Sequence, residues 1–199
     1  MSRKNHGKYY ISQKERITMT TSPNNKEELI DALKTCGAVK FGDFTLASGK
    51  KSKYYIDIKK ASSDPGTLKI IAKQAAALIK EMDIDIVGGV ALGGVPIATA
   101  VSLETNMPLL LIRKSAKEYG TGGRFVGEAE EGDRIILLED VTTSGGSVLE
   151  AIGAIRDAGC IIDKVITVVD REDGATENLG EIDVKLVPLV RASDLLADN

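Results

Sequence analysis

The sequence predicts an α/β protein, with a mostly parallel central sheet, helices on both faces and a small N-terminal hood of one helix and a hairpin. Three observations carry this reading. From residue 65 onward, short apolar runs alternate with longer helical patterns, the signature of strands joined by crossover helices. The runs are apolar almost throughout rather than at every second position, as expected of strands covered on both faces. The unusual residues GGVALGG, RKSAKEYGTGG, EDVTTSGG and DREDGA gather where those runs end, and ligands of such sheets bind beyond the strands' carboxyl ends.

The elements follow in order. Residues 1–22 are polar, basic and without clear period; a disordered tail is expected, with Met19 as an alternative start. TSPNNKEELIDALKTCG reads as a helix, with Ser22 or Asn24 accepting the free amides, Leu29, Ile30 and Leu33 as its apolar stripe and Gly37 as its stop. AVKFGDFTLASGKKSKYYIDIKKAS, with Gly-centred turns and alternating apolar residues, predicts a short antiparallel hairpin. LKIIAKQAAALIKEM places a helix over residues 65–82. IDIVGGVAL is a buried strand, GGVPIATAVSLETN a helix and MPLLLIRK a strand. A polar, glycine-bearing segment, SAKEYGTGGRFVGEAEEGD, leads to the strand RIILLED. The helix SVLEAIGAIRDAG and the strands KVITVVDRE and VKLVPLV complete a single domain over residues 23–199, with the hood at 23–64. There are no internal repeats.

Composition narrows the function. The chain of 199 residues is 43% hydrophobic and 28% charged, with a net charge of −3, whereas general nucleic-acid binding shows a basic footprint. No apolar run approaches the roughly 18 residues that cross a bilayer, and the N-terminus lacks the apolar core of a signal peptide. Cys36 and Cys160 are far apart with no C-x-x-C spacing, which suits two buried thiols in a cytoplasmic protein. With His6 the only histidine, a Cys/His metal site is excluded.

The chemistry concentrates in IILLEDVTTSGGSVLEA, residues 135–151. Between a buried strand and a helix, Thr142, Thr143, Ser144, Gly145 and Gly146 offer successive backbone N–H groups, hydroxyls and little bulk. Amide donors and the helix dipole together favour a phosphate there. The G-x-x-x-x-G-K-[ST] and G-x-G-x-x-G patterns are both missing from this stretch. Glu139 and Asp140 repel phosphate, so they serve something else. They suit the vicinal hydroxyls of a ribose, and could hold Mg²⁺ nearby through water. A sugar phosphate would span the turn.

EDVTTSGGS, residues 139–147, resembles the phosphoribosyl pyrophosphate (PRPP) motif of the type I phosphoribosyltransferase family. Two further segments resemble the orotate branch of that family: FGDFTLASGKKSKYYID (41–57), its N-terminal substrate segment, and LLIRKSAKEYGTGGRFVGE (110–128), its mobile catalytic loop. With VALGGVPIATA and VVDREDGA, the resemblance covers about residues 25–195. It implies the type I phosphoribosyltransferase fold and transfer of phosphoribose from PRPP to orotate, with Mg²⁺ held mainly by PRPP and water rather than by the protein directly. Glu139 and Asp140 would hold the ribose hydroxyls, and Val141, Thr142, Thr143, Ser144, Gly145, Gly146 and Ser147 would line the 5′-phosphate. Arg113, Lys114 and Lys117 would reach the pyrophosphate, Lys117 with a catalytic role. Thr143, Arg171, Tyr54 and Tyr55 would meet orotate. A homodimer is implied, in which the loop completes the neighbouring active site.

Three positions depart from the family pattern. Tyr119 stands where the loop commonly carries a histidine; it could hydrogen-bond pyrophosphate but carries no positive charge at neutral pH. Ala47 stands where some relatives have a lysine, and Ala91-Leu92 where others have Tyr-Lys. Tyr119 and Ala47 leave open a PRPP-binding regulator that turns nothing over; a phosphoribosyltransferase for another base is a second alternative, against which segment 41–57 speaks. Lys59 and Lys60 read as a solvated face.

Overall fold

The computed structural model describes residues 23–45, 51–117 and 123–197. The expected tail, the cap residue Ser22, Ala47 and Tyr119 lie outside the described residues. The chain runs α1 (Pro23–Thr35), β1 (Val39–Thr45), β2 (Lys51–Ile56), α2 (Ile58–Ser63), α3 (Pro65–Ile79), β3 (Ile86–Val90), α4 (Gly94–Thr105) and β4 (Leu109–Lys117). It continues with β5 (Gly123–Val126), β6 (Ile135–Thr142), α5 (Gly146–Asp157), β7 (Lys164–Asp170), α6 (Ala175–Gly180), β8 (Lys185–Arg191) and α7 (Ala192–Leu196).

The main sheet has six strands in the order β5-β4-β3-β6-β7-β8, all neighbours parallel except β4 and β5. This is the expected mostly parallel sheet. The alternation of side chains across a strand divides its core in two. Ile136 and Leu138 face a cluster with α1, α3, α4 and the hood, including Leu29, Leu33, Ile71, Ile97 and Val101. Ile135 and Leu137 face another with α5 and α6, including Val148, Ile152, Ile155 and Leu179. β6 and β7 are therefore covered on both faces, which is why they read as unbroken apolar runs.

The hood also forms: β1 and β2 pair antiparallel, with a register irregularity between Phe41 and Phe44. It then folds further than the sequence indicates. Asp57 accepts a hydrogen bond from Lys60 N and starts the short helix α2, and Asp64, accepting from Thr67 N at 2.8 Å and Thr67 Oγ1 at 2.7 Å, caps α3. Those two bonds hold the Asp64 carboxyl below its usual range. Asn24 lies inside α1 rather than at its cap, because the helix already begins at Pro23, a residue suited to a first turn.

The largest departure concerns the mobile loop expected over residues 110–128, of which 110–117 and 123–128 are described. β4 runs on through Lys117 and pairs with an added edge strand, β5, with Leu111 opposite Val126 and Lys117 opposite Gly123. The described part of the presumed loop is thus a two-stranded arm. Its polar residues are tolerated because an edge strand needs only one partner. Pro188 in β8 is allowed on similar grounds, since β8 forms the opposite edge.

Candidate active site

The order of the strands locates the site. From β3 the chain steps to β4 on one side and later to β6 on the other, so the switch point where a crevice opens lies at the carboxyl ends of β3 and β6. An open cleft of about 840 Å³ occupies that place. One wall is the turn after β3, Ala91, Leu92 and Gly93, whose Ala91–Leu92 peptide is cis. Arg113, Lys114 and Ser115 enter from β4, and Glu139, Asp140, Val141 and Ser147 from β6 and the start of α5.

Glycines let these walls approach. A Cβ on Gly93 would lie 2.0 Å from Asp140 Oδ2, and one on Gly94 2.3 Å from the Leu138 carbonyl oxygen. The second contact is with backbone, which cannot swing aside. Gly94→Ala is therefore expected to cost about 1–3 kcal/mol, read as a lowered thermal midpoint. Gly153→Ala, in open space inside α5, is the control and should raise it, since alanine is the better helix former.

Glu139 and Asp140 are both buried, at 8% and 7% exposure, yet both line the cleft. Asp140 Oδ1 accepts from Val141 N at 2.8 Å, and Oδ2 lies 3.3 Å from Lys59 Nζ. Glu139 Oε2 is buried with no hydrogen-bond partner. Burial, then hydrogen bonding and charge from the Asp140 side chain, push the Glu139 carboxyl up to about 9, opposed by the Asp140 backbone N–H and then by Lys114. A carboxyl with an unsatisfied oxygen, on a residue that lines the cleft, suits a hydroxyl donor.

The turn after β6 is held from beneath. Thr142 is buried and its Oγ1 donates to Asp170 Oδ1 at 3.4 Å, while the same Asp170 oxygen accepts from Glu172 N at 3.0 Å. Asn178 Nδ2 on α6 donates to the Ser144 carbonyl at 2.9 Å. Gly145, at φ +81°, turns the chain into α5, and no side chain caps that helix. Thr143, Ser144, Gly146 and Ser147 are exposed. The first turn of α5 thus presents free amide donors and hydroxyls to solvent, the electrostatics an anion requires.

Arg171, at the end of β7, donates its backbone N–H to the Thr142 carbonyl at 2.9 Å, and its guanidinium lies 5.6 Å from the centre of the Tyr54 ring. Its Nε is buried without a hydrogen bond, with Asp173 Oδ2 3.7 Å away. Hood and sheet meet here. Tyr55, next along β2, points to the other face of the hairpin, where its ring lies 5.7 Å from Phe44.

The structure therefore brings Arg113, Lys114, Glu139, Asp140, Val141 and Ser147 to one cleft, and joins Arg171 to Tyr54 beside the same turn. Lys117 ends β4. Lys59, read from sequence as a solvated residue, also reaches the cleft and pairs with Asp140; Ser115 and Gly93 were not singled out either. The glycine pair after a strand was a signal for Gly93. For Lys59 no local signal exists, since its position depends on how the hood docks.

A family model for the phosphoribosyl transferase domain matches residues 61–186. A Methanosarcina mazei protein named orotate phosphoribosyltransferase is 71% identical over 171 residues, 86% of this chain and 91% of that one. Among solved structures, Mycobacterium tuberculosis orotate phosphoribosyltransferase in complex with PRPP superposes with a TM-score of 0.73 at 28% identity, covering 86% of this chain and 98% of that one. Leishmania donovani UMP synthase superposes at 0.76 and 33% identity, over 85% of this chain but only 37% of that longer one. Sequence likeness along nearly the whole described chain and a sheet built in the same way lead to one conclusion: this chain belongs to the orotate phosphoribosyltransferases, enzymes with the type I phosphoribosyltransferase fold.

Proposed function

We propose that the chain transfers the 5-phosphoribosyl group from PRPP to N1 of orotate, in a Mg²⁺-dependent reaction that yields orotidine 5′-monophosphate and pyrophosphate for UMP synthesis. The observation that carries this is the pairing of two buried acids with an uncapped helix start on one turn. The ribose hydroxyls would donate to Glu139 and Asp140, and the 5′-phosphate would accept from the backbone of residues 142–147. The PRPP complex of the Mycobacterium tuberculosis relative supports that substrate.

Orotate is an anion, and its carboxylate would be held by the Arg171 guanidinium, with Thr143 and Tyr54 at its edges; Tyr55, expected there too, faces Phe44 on the other side of the hairpin. Departure of pyrophosphate leaves positive charge on the sugar and a strongly anionic leaving group. Arg113, Lys114 and Lys117 would stabilise that group in advance of its release, with Tyr119 as a hydrogen-bond donor. Mg²⁺ would be held mainly by PRPP and water, as the family resemblance implies, with Glu139 and Asp140 meeting it through water. The ion, when bound to pyrophosphate, offsets the charge that develops as the bond to C1′ breaks.

The arm that carries Lys117 would serve the partner in a homodimer and exclude water from the activated sugar when it closes. Cys36 and Cys160 are free thiols, the state that reducing compartments maintain, which supports work in the cytoplasm; no helix among the described residues is long and apolar enough to cross a membrane. The test is loss of orotate absorbance on mixing with PRPP and Mg²⁺, run beside uracil, adenine and hypoxanthine. Turnover of orotate alone is expected. PRPP binding without turnover of any base would point instead to a regulator.

A further inference from the structure

The cations of the cleft come from two directions. Arg113 and Lys114 stand on β4; Lys59 stands on α2 in the hood and reaches Asp140 on β6, across the central strand β3. Between them, the turn of Ala91, Leu92 and Gly93 contributes no charge. We infer that Lys59 is a pyrophosphate-binding residue, a cation supplied by the hood that exchanges the Asp140 carboxylate for the leaving group when PRPP enters.

The geometry permits this exchange. Lys59 Nζ sits 3.3 Å from Asp140 Oδ2, but its side chain is 68% exposed while that of Asp140 is 10% exposed. Lysine is thus held at its tip alone, on a flexible stem, whereas the acid is fixed. Ion pairs with an exposed partner are weak. Ribose hydroxyls donating to Asp140 would compete for the oxygen that Lys59 now holds, and a phosphate group of higher charge would arrive beside the freed ammonium. In the free protein the same contact offsets the buried charge of Asp140, and Asp140 in turn raises the Lys59 ammonium above its usual range.

The inference rests on the proposed placement of PRPP, and the experiment separates the two. Binding of PRPP, pyrophosphate and ribose 5-phosphate, each with Mg²⁺, is measured by calorimetry on wild type, Lys59→Ala and Lys59→Arg. Lys59→Ala should weaken PRPP and pyrophosphate by roughly tenfold or more and leave ribose 5-phosphate within about twofold, inside the usual scatter of surface substitutions. Lys59→Arg, which keeps the charge, should recover most of the loss. An equal loss for all three ligands would make Lys59 a mere support for Asp140 and overturn the inference, as would no loss at all. If wild type does not bind PRPP, the placement itself fails and takes the inference with it.

Discussion

Glu139→Gln yields a protein that is more stable and much less active, and the stability gain grows as pH rises. The folded protein keeps the Glu139 proton to about 9, because the carboxyl is buried beside Asp140, whereas the unfolded chain releases it near the ordinary value of 4.5. Between those values the unfolded state binds fewer protons than the folded one, so this group makes stability fall with rising pH, by at most about 1.4 kcal/mol per unit. Below the ordinary value both states are protonated and the effect vanishes. Glutamine has no proton to lose, so the gap in thermal midpoint between variant and wild type should be small at pH 5 and several degrees at pH 8. A constant gap would mean that Glu139 is ionised in the folded protein.

The same substitution should lower kcat/KM by about ten- to a hundredfold, the cost of replacing a charged acceptor by a neutral one. Donation from ribose hydroxyls favours the carboxylate, so PRPP binding at pH 7 should release a proton from wild type and none from the variant. Calorimetry in buffers of different ionisation enthalpy reads this directly. Proton release that persisted in Glu139→Gln would move the titrating group elsewhere.

Why the sequence reveals the turn at 139–147 but not Lys59 is a question of range. Ile135 to Ser147 is one local unit: an apolar run needs cover on both faces, and acids followed by small residues need an opening, so strand, acids and loop are read together. β3, β4, β6 and β7 are legible for the same reason. β5 is not, since GRFV is only four residues long and becomes a strand only by pairing with β4. Helix α2 escapes because its six residues look like the tail of a hairpin until Asp57 caps them. Arg171 could be proposed as an anion partner from its place after a strand, but not its contact with Tyr54, which needs the hood folded down. Nor does any pattern announce that Glu139 keeps its proton; that follows from burial, which only the assembled fold provides.

Lys117→Ala should reduce kcat by two to three orders of magnitude, on the order of the loss seen when one preorganised charge-stabilising donor is removed, while PRPP binding changes little. Lys117 is the last residue of β4, on the two-stranded arm at the edge of the sheet. If that arm completes the partner's site, a mixture separates the possibilities. Lys117→Ala has a sound cleft and a deficient arm, and Asp140→Asn has the reverse. Random exchange of subunits makes half of the dimers hybrid, and in each hybrid one cleft is sound and faces the sound arm of its partner. One site in two, in half the dimers, gives about a quarter of wild-type activity in a symmetric pair. An arm that served its own cleft would leave every site of the hybrid deficient, and mixing would restore nothing. Recovery on mixing, set against none when Lys117→Ala is mixed with the double variant Lys117→Ala/Asp140→Asn, would place the arm in the neighbouring subunit; no recovery in either mixture would confine it to its own.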